Sequence, residues 1–329
     1  MGAPRYRATA VAPRRASLRD GRPAAAVGCR HRDPTAPPRA PAGRREPAVT
    51  WLAFALAAGV ASAVNVAAAK RLVASLRPAV LGGVVHVTGG LLCLALLPLL
   101  SADLSPAGEH LPQLALMAVV HVAGNLLYFA ALARSQLSQV DLFLRSSALW
   151  TVLGSALLLR EPFPLTSLLG AALVLASLAS IAERPRRLGF SAPQRIALAA
   201  AVAFGAGNVI DKAISGPFHP LGYTALVLLL TGIGMLAVAR PRLAELRTPA
   251  LWRGGAWTVA ATFALTQWLI IEAYAAGGTA GDVILVAQLR LVLLMAVGVL
   301  LLRERDRLPA KLLAASLMLA GIGTLASGA

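Results

Sequence analysis

From Val49 onward, apolar runs alternate with short charged punctuation. The runs read 49–69, 79–100, 112–133, 140–159, 163–182, 193–214, 220–239, 254–276, 283–302 and 309–327. Each is close to the ~20 apolar residues that cross a bilayer core as a helix. An open strand edge cannot be left unsatisfied in lipid, so the pattern predicts an all-α polytopic membrane protein with ten transmembrane helices. The sixth run is the least regular. Its charge-free core is 196–210, and Asp211 and Lys212 are expected near its end.

The pattern repeats. Leu157-Leu158-Leu159-Arg160-Glu161 recurs as Leu300-Leu301-Leu302-Arg303-Glu304, an offset of 143. Asn65-Val66 recurs as Asn208-Val209 at the same offset, as do Leu169, Ala171 and Ala172 at Leu312, Ala314 and Ala315. The expected organisation is two five-helix units, 49–187 and 188–329. Because five is odd, the second unit must run inverted. Inverted repeats enclosing a midplane site are a transporter architecture, although duplication in an inert membrane protein gives the same pattern.

These features resemble the EamA-like branch of the drug/metabolite transporter superfamily, over about 49–329. Two motifs carry the resemblance. One is the paired apolar run ending in Glu161 and Glu304, each followed by a further span. The other is the first helix of each half ending in lysine, Asn65…Lys70 and Asn208…Lys212. The resemblance implies two EamA repeats and secondary transport of metabolites, usually outward, across a bacterial cytoplasmic membrane. Two departures stand out. The family often carries proline in the middle of the fourth and ninth helices, where this chain has Ala148 and Leu291, which predicts unkinked helices there. A basic residue common in the family's second helix is replaced by His86.

Composition agrees with a membrane protein. Hydrophobic residues make up 57% and charged residues 14%, against roughly 25% charged in soluble domains. A water-soluble enzyme is thereby excluded. Cys29 and Cys93 lie in a polar tail and an apolar run, with nothing to pair them. The net charge of +17 resembles a nucleic-acid signal, but its placement argues otherwise. Residues 1–48 hold eleven arginines and three acids, Asp20, Asp33 and Glu46. This Pro/Arg/Ala-rich tail has no apolar periodicity, no apolar segment of a signal peptide, and one aromatic residue, Tyr6. It reads as a disordered tail. The alternatives are a transit peptide, which its prolines and scarce serine disfavour, and a stretch upstream of a start near Val49.

Loops 1–2, 3–4, 5–6, 7–8 and 9–10 carry 16 Lys and Arg, and the opposite loops carry two, Arg160 and Lys212. Positive-inside logic puts the first set in the cytoplasm and both ends of the bundle outside. The family habit is the reverse.

Ionisable groups at membrane depth should face a partner or a wet cavity. Arg145 is expected about 8 Å into the fourth helix and Arg290 about 11 Å into the ninth. They approach the midplane from opposite sides and are offset by 145. On one reading they bind an anionic group on alternate sides. On the other, Arg145 pairs with Asp141 and Arg290 with Glu272. Glu272 is then either a proton carrier or the counter-ion of Arg290. His121, Asn125 and Tyr128 share one face of the third helix, and Gln267 and Tyr274 are seven apart on the eighth. These stripes line a cavity or serve as interhelical hydrogen-bond glue. His86, Gln288 and Trp150 complete the candidate substrate-binding set. Trp51 and Trp252, at span ends, are expected as interface anchors. Gly82-Gly83 and Gly89-Gly90 are expected to let helices pack closely.

No GxxxxGK[ST] loop and no HExxH or clustered Cys/His appears, so no cofactor, metal or ATP-driven step is expected. Asp282 with Asp141 faintly resembles an intramembrane aspartyl protease. The expected function is alternating-access transport of a small polar, anionic or zwitterionic metabolite, not catalysis; a non-transporting scaffold is the alternative. Expected partners are the small-molecule substrate, the lipid bilayer, protons for coupling through Glu272 or His121, and a second copy in a homodimer, but no nucleic acid.

Overall fold

Long apolar stretches bounded by proline and by capping side chains become helices because lipid leaves the backbone no other partner. The computed structural model describes residues 49–69, 77–132, 134, 143–181, 191–253, 255–300 and 308–327. All that follows concerns those residues. The first helices are α1 (Val49–Ala69), α2 (Pro78–Leu96, extended by a 3-10 turn Leu97–Leu100) and α3 (Leu111–Leu132). α4 spans Phe143–Leu159 and ends in a π turn, Ser155–Leu159. Then come α5 (Leu165–Ile181), α6 (Ala192–Ile214), α7 (Pro220–Ala239) and α8 (Ala256–Ala275). α9 consists of two segments, Ala280–Ala287 and Arg290–Leu300, and α10 is Leu308–Ser327. Seven of these are long and apolar enough to cross a membrane alone, and α4 and α5 are shorter apolar helices. The chain is an all-helical membrane bundle.

Local chemistry sets the helix starts. Pro78 and Pro220 open α2 and α7, where a missing N–H costs nothing. Ser191 and Gln194 form a capping box at α6, and Thr279 accepts from the Asp282 N–H at α9.

The main packing partners are α1 with α8, α3 with α6, α2 with α7, and α5 with α10. Further contacts join α2 to α8, α3 to α7, α1 to α9, α4 to α6, and α4 to α9. Exchanging each helix for the one five places along returns the same set of partners. The expected glycine pairs of α2 lie in its contacts: Gly83 approaches the Gly232 carbonyl of α7, Gly89 the Ala260 carbonyl of α8, and Gly90 the Leu229 backbone. Gly170 of α5 and Gly321 of α10 approach each other's carbonyls reciprocally. Small residues here let backbones meet, which drives association in lipid.

Two expectations are corrected. Trp51 is no interface anchor: it is 7% exposed and packs in the core with Ile271 and Tyr274. Nor do the fourth and ninth helices run without interruption. The α4 helix is interrupted at Ser146 and α9 at Gln288–Leu289, which are equivalent places at the repeat offset. No proline is involved. In α9 the Gln288, Leu289 and Leu291 amides each bond three residues back instead of four, to Leu285, Val286 and Gln288. In α4 the Ser146 N–H and hydroxyl both donate to the Phe143 carbonyl, at 3.0 and 2.6 Å. Gly59 of α1 lies against the α9 break, and Gly205 of α6 against Ser147–Thr151 of α4.

Candidate functional site

The polar groups of the bundle gather in two places: the breaks of α4 and α9, and the seam between α3 and α6. At the breaks, Arg145 immediately precedes the interruption of α4 and Arg290 immediately follows that of α9. Both are half-buried. The Arg290 Nη1 donates to Ser62 Oγ of α1 at 3.3 Å. Gln288 is buried, and its Oε1 has no hydrogen-bond partner among the described residues. The same holds for Trp150 Nε1 on α4. Buried polar atoms left in this way are costly.

The described contacts of Glu272 lead to its own helix, where Trp268 Nε1 donates to Oε1 at 2.8 Å. Asp141 lies outside the described residues. Gln267 is half-buried one turn from Ile271.

The α3 stripe divides. His121 faces α6, where its Nε2 is 3.0 Å from Asp211 Oδ2, with both side chains buried. Asn125 turns back to the His121 carbonyl of its own helix at 2.8 Å. Tyr128 packs against the rings of Phe129 and Phe204. His86 on α2 is bound at Nδ1 to the Gly82 carbonyl at 2.7 Å and stacks near Phe263.

Asp211 is the residue that sequence reasoning passed over. It lies near the end of α6, as expected, but is 4% exposed. Its second oxygen, Oδ1, accepts from the Tyr223 hydroxyl of α7 at 2.9 Å. Gly207, one turn earlier on α6, lies under the imidazole; a Cβ there would sit 3.1 Å from the ring. A glycine one turn before an acid within a span was the available signal.

Two further ties join helix ends on the arginine-poor side. Lys212 Nζ donates to the Tyr274 carbonyl at the end of α8 at 2.9 Å. The Glu161 carboxylate accepts from the Ala280 N–H at 3.0 Å. Each charge sits at the helix end whose partial charge it complements. Tyr274, a candidate from its α8 stripe, is buried with its hydroxyl unpartnered among the described residues. On the other face, Arg77 before α2 pairs with Glu245 in the α7–α8 connection at 2.8 Å.

Among known proteins, residues 49–182 match the family model of the EamA-like transporter family. No curated protein matches the chain. A solved structure titled only "Crystal structure of protein" matches with a TM-score of 0.65 and 18% identity, over 84% of this chain and 96% of that one. At that identity the likeness speaks to the fold alone. The family match therefore covers residues 49–182, the first half of the helical bundle, and identifies that part as EamA-like.

Proposed function

We propose that the chain exports a small polar, anionic or zwitterionic metabolite by alternating access between residues 49–187 and 188–329. One observation carries the reading: both interrupted helices hold an arginine at the interruption, Arg145 beside Ser146 and Arg290 beside Leu289. Discontinuous helices facing each other in a bundle free backbone groups at depth, and such places bind substrate in secondary transporters. A guanidinium there grips a carboxylate or phosphate with two parallel hydrogen bonds. Gln288 and Trp150 supply an acceptor and a donor for the neutral part of the guest. Loop charge puts the arginine-rich loops in the cytoplasm.

The test is uptake by the purified full chain in liposomes, using labelled amino acids, sugar phosphates and nucleotides. At least one anionic or zwitterionic class should accumulate. Arg290→Ala should lower its rate at least 100-fold while the protein still inserts. Wild-type transport by that variant would remove Arg290 from the mechanism, and no transport of any class would favour a scaffold.

A further inference from the structure

The contact between α3 and α6 and the contact between α1 and α8 are related by the five-helix exchange. At the repeat offset of 143, His121, Asp211 and Tyr223 correspond to Ala264, Ala68 and Val80. One seam therefore holds a buried ion pair, and its relative has apolar residues at the three corresponding positions. Indeed α1, Val49–Ala69, has no ionisable side chain at all.

We propose that His121, Asp211 and Tyr223 form a binding site for a single proton, and that this proton holds the arginine-poor face shut in one of the two transport states only. The proposal rests on the alternating-access reading and names its coupling ion.

Geometry and charge carry it. With the proton, imidazolium and carboxylate together are neutral, and each Asp211 oxygen accepts one bond, from Nε2 at 3.0 Å and from the Tyr223 hydroxyl at 2.9 Å. Without it, a lone carboxylate charge stays buried beside a neutral ring, which a low-dielectric interior disfavours strongly. The proton can leave to water once α3 and α6 part. Closure and proton occupancy are therefore linked, and each favours the other. Because the α1–α8 seam has no such pair, the proton distinguishes the two closed states; a ligand bound equally to both would shift nothing.

The surroundings do not supply a rival site. From α2, His86 is held by the Gly82 carbonyl, and from α8, Tyr274 adds a neutral phenol. Lys212, next along α6, is committed to the Tyr274 carbonyl, and Glu161 to the Ala280 N–H. The α4 residues that meet α6, namely Ser147, Trp150, Thr151 and Gly154, do not titrate.

The seam can be read without any substrate. Gly108 precedes α3 and Gly216 follows α6, and a Cβ at either would meet nothing within 4 Å. Spin labels on Gly108→Cys and Gly216→Cys, in the full chain with Cys29→Ser and Cys93→Ala, report the opening by pulsed electron resonance in lipid nanodiscs. The ratio of short to long distances at pH 6 should exceed that at pH 9 about ten-fold, the effect of a one-unit difference in the site's proton affinity between the closed and the open seam. Asp211→Asn and His121→Gln should each lose this dependence, and Tyr223→Phe should weaken it. A pH-independent ratio in the parent, or an unchanged response in His121→Gln, overturns the proposal; the second variant decides if Asp211→Asn does not insert. A pH-sensitive seam with no transport of any substrate class would keep the proton site and remove the transporter reading. Transport with an insensitive seam would do the reverse.

Discussion

The α3–α6 seam and the α1–α8 seam share a backbone plan and differ in chemistry. In the first, His121 and Asp211 meet over Gly207, and Tyr223 completes the acceptor set. In the second, polar contact is reduced to Asn65, whose Nδ2 donates to the Val259 carbonyl at 2.7 Å and to Thr262 Oγ1 at 3.1 Å. Repetition thus specifies which helices touch, while point differences between the copies decide what a seam senses.

The comparison can be broken by moving charge. Asp211→Ala should cost about 2–6 kcal/mol by leaving the His121 ring nitrogen and the Tyr223 hydroxyl buried without their acceptor, read as a lower unfolding temperature in detergent. Ala68→Asp at the apolar seam should destabilise to a comparable degree, and adding Ala264→His should return part of the loss. Equal stability of Ala68→Asp and the parent would mean that this seam is wet and that the contrast drawn here is false. A smaller effect is expected from Tyr223→Phe. It removes one hydrogen bond to a charged acceptor, worth about 1.5–3 kcal/mol, and Asp211→Ala should mask the change in a double-mutant cycle. Smallest should be Asn65→Ala, at about 0.6 kcal/mol, the usual worth of an interhelical hydrogen bond in lipid. A loss as large as that of Asp211→Ala would make the apolar seam's single polar tie its mainstay.

Much of the fold could be read in advance, and for local reasons. The ten apolar runs lie within a few residues of the helices wherever these are described. The Asn65/Asn208 and Leu-rich repeats at 143 anticipated the exchange symmetry of the contacts. The breaks of α4 and α9 could not be read, because no proline signals them. They depend on shifted carbonyl partners and on glycines of other helices, Gly59 and Gly205. Arg145, Arg290, Gln288 and Trp150 were visible as polar residues in apolar runs, but not their relation to the breaks. His121 was visible too. Its partner stands 90 residues away, near the end of the sixth run.

Hydropathy and length alone determined that this chain is a stack of membrane helices, because lipid forces each segment to satisfy its own backbone. Only the tertiary structure decided which buried charges neutralise one another, where helices unwind, and which tryptophan is core. Those outcomes depend on neighbours brought together by packing, and a side chain's cost in lipid is set by the group it meets.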